Sequence, residues 1–107
     1  MYQRLYLFTL IAFAWLIGVK DVAVGQTPNV WAWGDNYSGQ LGNGEDVNTV
    51  SRSVPVQVNG MTGAVKVAAG SQNSLALKSD GTVWAWGSND FGQLGNGINV
   101  NSSVPVQ

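Results

Sequence analysis

Apolar and polar residues alternate with period two through most of the chain beyond residue 25, the spacing of strands rather than helices. Val65, Val67 and Ala69 fall on one face, with Lys66 and Ala68 on the other. Leu75 and Leu77 alternate with Ser74, Ala76 and Lys78, and Val83 and Ala85 alternate with Trp84 and Trp86. Asp80-Gly81 between the last two runs is a hairpin signal, because glycine accepts a positive φ. Val54, Val56 and Val58 alternate with Pro55 and Gln57. Pro55 and Pro105 lack an amide donor and therefore suit edge strands. The predicted strands are Val30–Gly34, Val54–Val58, Val65–Ala69, Ser74–Leu77, Thr82–Gly87 and Val104–Gln107. No segment beyond residue 25 has a helical period.

The first 25 residues follow a different pattern. Met1-Tyr2-Gln3-Arg4 carries one positive charge, and Leu5 to Val19 is an uncharged run of 15 residues. Ala23-Val24-Gly25 then places small residues where a signal peptidase cuts. This is the layout of a helical secretory signal, residues 1–25, with cleavage expected after Gly25. A retained membrane anchor is the alternative, but a span needs about 20 apolar residues. The protein is thus expected to be secreted, touching the membrane only through this segment during export. The mature part, 26–107, would start at Gln26.

The mature part repeats itself. Val30-Trp31-Ala32-Trp33-Gly34 recurs 53 positions later as Val83-Trp84-Ala85-Trp86-Gly87. At the same offset Gly39-Gln40-Leu41-Gly42-Asn43-Gly44 recurs as Gly92-Gln93-Leu94-Gly95-Asn96-Gly97. Val54-Pro55-Val56-Gln57 recurs as Val104-Pro105-Val106-Gln107, now 50 positions apart. The difference is confined to Glu45–Ser53 against Ile98–Ser103, which marks a loop. Each repeat is four short antiparallel strands in about 50 residues, the content of one propeller blade.

These residues resemble a known family. Val67-Ala68-Ala69-Gly70, then Leu75 through Asn89 (LALKSDGTVWAWGSN), then Gly92-Gln93-Leu94-Gly95 are similar in order and spacing to the regulator-of-chromosome-condensation repeat. The resemblance covers nearly all of the mature chain and implies a β-propeller, usually of seven blades. Asn73 stands where such repeats often carry histidine. The expected fold class is all-β: a half blade at 29–58 and a full blade at 64–107, about one and a half blades of a propeller. Six strands cannot close a ring of at least four four-stranded blades. Copies joined head to tail would skip the first two strands of a blade. The chain is therefore expected to be the leading part of a longer propeller that needs further blades to close.

Composition narrows the chemistry. The chain has no cysteine and no histidine, which removes disulfides, thiol nucleophiles, Cys-based zinc sites and the commonest general base. Five basic against six acidic residues, net −1, provide no footprint for nucleic acid. GQLGNG is spaced GxxGxG with no following helix, so it reads as turn geometry rather than a phosphate loop. Asp35, Glu45, Asp46 and Asp90 match no calcium-loop spacing. No catalytic, metal or cofactor site is expected. Trp31/Trp33 and Trp84/Trp86 are expected to fill the space between blades rather than to form a sugar or cation cage. Asn36-Tyr37-Ser38 and Asn101-Ser102-Ser103 match the N-glycosylation pattern.

Two functions remain. The first is a non-enzymatic binding scaffold for an unknown protein partner, with Tyr37, Arg52 and Phe91 as candidate contacts, since aromatic and arginine side chains dominate interface energies. The structural alternative is that Tyr37 and Phe91, read as standing at equivalent places in the two repeats, pack within their own loops. The second function is the N-terminal part of a propeller hydrolase or lyase whose catalytic residues lie in further blades.

Overall fold

The computed structural model describes residues 4–8, 29–48 and 50–107, and all regular structure among them is extended. The strands are β1 (Arg4–Phe8), β2 (Asn29–Gly34), β3 (Arg52–Thr62), β4 (Ala64–Ala69), β5 (Asn73–Lys78), β6 (Val83–Gly87) and β7 (Ser102–Val106). They form two antiparallel sheets, β1-β2-β3 and β4-β5-β6-β7. The second sheet is a four-stranded meander, as the repeat predicts. Asp80 closes the β5–β6 hairpin by accepting the Thr82 amide (2.9 Å) and hydroxyl (2.6 Å), with Gly81 at φ 86°. Pro55 and Pro105 lie on β3 and β7, each the outer edge of its sheet, where no ladder amide is missed.

The first sheet departs from expectation at one end. Residues 4–8 form a strand, paired with β2 from Arg4 opposite Trp33 to Phe8 opposite Asn29, where the leader pattern predicts helix. An apolar extended segment satisfies the open ladder of β2, and Leu5, opposite Ala32, packs on the core. The rest of the leader, including Ala23-Val24-Gly25 and the expected cut before Gln26, lies outside the described residues. Among the described residues no helix is long and apolar enough to cross a membrane.

The core lies between the sheets. Val30, Ala32, Leu41, Val58 and Met61 of the first unit meet Ala64, Ala76 and Trp86 of the second, all at most 2% exposed. Around them Leu5, Val56, Val67 and Trp84 are partly buried. A bulge between Ala64 and Lys66 breaks the β4 alternation, so Val65 does not join Val67 but is exposed. Gly63, at φ 72°, turns the chain between sheets, and its carbonyl accepts the Ser79 amide (2.9 Å).

Candidate functional site

Each blade sends a long loop from its Trp-x-Trp strand to its last strand: residues 35–51 after β2 and 88–101 after β6. The two loops are knit by the same side chains. The carboxamide oxygen of Asn36 accepts the Leu41 amide (3.0 Å), and that of Asn89 accepts the Leu94 amide (2.9 Å). Gln40 Oε1 accepts the Ser38 amide (2.8 Å), and Gln93 Oε1 accepts the Phe91 amide (2.9 Å). The Gln40 amide nitrogen donates to Asp35 (2.8 Å), and that of Gln93 donates to Ser88 (3.3 Å). Gly39, Gly42, Gly44 and their counterparts Gly92, Gly95 and Gly97 all have positive φ, so the GQLGNG block is turn geometry, as expected from its spacing. Asn89 adds bonds from its amide nitrogen to the carbonyls of Ile98 (2.7 Å) and Val100 (3.1 Å).

Asn36 is fully buried, so the first glycosylation pattern has no accessible acceptor in the folded chain. The Asn101 carboxamide, half-buried, accepts the Asn89 amide at 2.7 Å. Both asparagines hold loops. The sequence signal for this role is present in the repeat itself, because Asn36 and Asn89 stand 53 positions apart.

The candidate contacts separate. Tyr37 is 62% exposed and Phe91 is 92% exposed, so the Phe91 ring stands almost wholly in solvent and Tyr37 is partly covered. They are not repeat counterparts, since the 53-residue offset sets Tyr37 against Asp90 and Phe91 against Ser38. Arg52 is tied down: its guanidinium forms an ion pair with Glu45, reinforced by Asn43 donating to the same carboxylate (2.8 Å). These bonds from Arg52 and then Asn43 hold the Glu45 carboxyl below the usual carboxylate range. Three exposed apolar residues escaped the sequence reading: Val50 in the first loop, Ile98 and Val100 in the second. The signal for the last two was an apolar pair among asparagines, outside any strand alternation.

The tryptophans meet the expectation unevenly. Trp86 is buried between the sheets and donates its indole N–H to the Gln40 carbonyl (2.9 Å). Trp84 donates to Thr82 Oγ1 (2.8 Å) beneath the Lys78 ammonium, 5.3 Å from the ring centre. Trp31 and Trp33 are half-buried on the opposite face of the first sheet. Among the described residues no three Asp, Glu, His or Cys side chains are grouped as metal ligands.

Comparison with known proteins agrees with this architecture. The regulator of chromosome condensation (RCC1) repeat profile matches residues 29–77 and 80–107, and a second RCC1 repeat profile matches residues 64–93. Human E3 ubiquitin-protein ligase HERC2 is 40% identical over 80 residues, covering 73% of this chain and 2% of that protein. Human probable E3 ubiquitin-protein ligase HERC6 is 38% identical over 91 residues, covering 80% of this chain and 9% of that one. Rat Alsin is 42% identical over 69 residues, covering 63% of this chain and 4% of that one. The chain thus spans less than a tenth of these relatives. The crystal structure of human WBSCR16 superposes with a TM-score of 0.64 at 28% identity, covering 75% of this chain and 22% of that one.

Proposed function

Given that the chain belongs to the regulator of chromosome condensation (RCC1) repeat family, its sheets are propeller blades, and we propose that they form a scaffold binding another protein through the loops after β2 and β6. The observation that carries this is Phe91. A phenyl ring 92% in solvent sits on a loop whose turns are fixed by Asn89 and Gln93. Holding an apolar anchor in place before binding reduces the ordering cost of association. Ile98 and Val100 extend the exposed apolar surface on the same loop, and Tyr37 and Val50 do so on the other. Arg52 serves by holding the first loop through Glu45.

The partner is a protein rather than nucleic acid, consistent with a net charge of −1. The working compartment is outside the cytoplasm, supported by the charged start, the apolar run and Ala23-Val24-Gly25. The ligase names of two relatives carry no activity over to a chain that spans 2% and 9% of them.

The test is a photo-crosslinking residue placed at Phe91 and, separately, at Ser79 in the hairpin at the far end of β6. The reading requires a partner joined at 91 and not at 79, and lost when Tyr37, Phe91 and Ile98 are all changed to serine in a folded protein. A partner that persists on the triple variant refutes it.

A further inference from the structure

Asparagine followed by glycine occurs three times in the chain, as Asn43-Gly44, Asn59-Gly60 and Asn96-Gly97. The dipeptide carries a reaction of its own. With no side chain on the following residue, the glycine amide nitrogen can reach the asparagine Cγ, and ring closure needs no catalyst. The fold controls whether the two groups are free to meet. At Asn43 both are occupied. Its carboxamide nitrogen donates to the Glu45 carboxylate (2.8 Å), its oxygen accepts the Glu45 amide (3.3 Å), and the Gly44 amide donates to the Ser103 carbonyl (2.9 Å). The Asn96 carboxamide oxygen accepts from the Asn89 side chain (3.2 Å) and the Ile98 amide (3.4 Å).

Asn59-Gly60 differs. Both residues are exposed on β3, and among the described residues no hydrogen bond holds the Asn59 carboxamide. The ladder is broken here: Gln57 lies opposite Trp31 and Thr62 opposite Asn29, so Val58–Met61 bulge opposite Val30 alone. Gly60 stands at φ 64°, and a methyl on it would meet nothing within 4 Å. The second blade is already in place beside this segment. The Asn59 amide donates to the Gly42 carbonyl (2.8 Å), and Gly44, which lies against the Asn59 carboxamide, donates to Ser103.

We infer that Asn59 is a site of spontaneous deamidation, selected by the fold from three copies of the same dipeptide. The Gly60 nitrogen bonds to Asn59 Cγ, the Cγ–N bond of the carboxamide breaks, and ammonia leaves with the proton from Gly60, forming a succinimide. Water then opens either ring carbonyl, giving aspartate or isoaspartate at position 59. Both products add a negative charge to the edge strand. The isoaspartate form also routes the backbone through the side-chain carbon. It lengthens β3 between Val58 and Met61, which are 1% and 2% exposed in the shared core, and so loosens the joint between the sheets.

The experiment is ageing of the folded full 107-residue chain at mildly alkaline pH, followed by peptide mass analysis. Trypsin cuts at Arg52, Lys66 and Lys78, so each Asn-Gly pair falls on its own peptide. Asn59 is expected to convert about tenfold or more faster than Asn43, because the bonds holding Asn43 and Gly44 must break first. In urea the three pairs should convert at similar rates. Asn59→Ser, at an exposed position, is expected to remove the early acid product from residues 53–66 and leave the fold intact. The isoaspartate form, separated from the aspartate form, should unfold at lower urea concentration. Asn43 or Asn96 converting as fast as Asn59 in the folded protein overturns the proposal. So does an Asn59 that converts only in urea, or an acid product on residues 53–66 that persists in Asn59→Ser. Equal urea midpoints for the two products overturn the effect on the core.

Discussion

A buried asparagine is an expensive residue unless its amide is fully used, and Asn89 uses both ends of its own. Its oxygen takes the Leu94 amide while its nitrogen serves the carbonyls of Ile98 and Val100. Asn89→Ala strands these backbone groups and should cost about 2–4 kcal/mol, read from the shift of a urea midpoint. Gly42 and Gly95 provide a paired test, since both have φ near +70° (67° and 69°) but only Gly42 lies against Trp86. Alanine at either position meets the left-handed cost of about 1 kcal/mol. In monomeric protein Gly42→Ala should lose about 1–3 kcal/mol more, because Trp86 and Val58 must move. Mass analysis of protein made in a glycosylating host should find no glycan on Asn36, whose side chain has no path to solvent.

Two elements depend on ionised carboxylates. Glu45 holds the first loop through Arg52, and Asp80 holds the β5–β6 hairpin through Thr82. Both are depressed, Glu45 by its bonds from Arg52 and Asn43, Asp80 by those from the Thr82 hydroxyl and amide. A depressed carboxyl stabilises the fold above its unfolded pKa, near about 4, and loses that effect as pH falls through the folded value. Thermal midpoints should therefore be level from pH 7 to about 5 and fall below about 4, with Glu45→Gln and Asp80→Asn each flattening the acid limb. At the strand level, β1 is the element to remove. Cleavage after Gly25 takes β1 away, opens the β2 edge and withdraws Leu5 from the core. Residues 26–107 should then unfold with poor cooperativity or aggregate, and hydrogen exchange should lose protection first in Asn29–Gly34. A sharp, reversible transition in the shortened chain would show that β2 and β3 stand without it.

Across the whole molecule the two sheets are coupled by a shared core, to which Trp86 contributes the largest side chain, and by the Ser74 hydroxyl, which donates to the Gln40 carbonyl (2.7 Å). Trp86 belongs to the second sheet, yet its indole bond and much of its packing are with the first. Trp86→Ala should cost about 3–5 kcal/mol and separate the unfolding of the two sheets, seen as exchange protection kept in β5–β6 and lost in β2–β3. Trp86→Phe keeps most of the packing, removes the bond to Gln40 and should cost about 1–2 kcal/mol beyond the smaller ring's lost contact.

By itself the sequence determined the periodic parts: strands from period-two alternation, the hairpin from Asp80-Gly81, edges from Pro55 and Pro105, and the blade from the 53-residue repeat. Those features are local, set by backbone stereochemistry and by which face of a pleat is apolar, so they can be read along the chain. The tertiary structure decided what depends on distant partners. It paired residues 4–8 with β2, a choice set by an open ladder that no local pattern announces. It bound Arg52 to Glu45 while leaving Phe91 in solvent, though both are interface residue types. And it gave two identical Trp-x-Trp strands different surroundings: Trp86 lies buried against Val30, Ala32 and Leu41 of the first unit, while Trp33, its repeat counterpart, is half-buried.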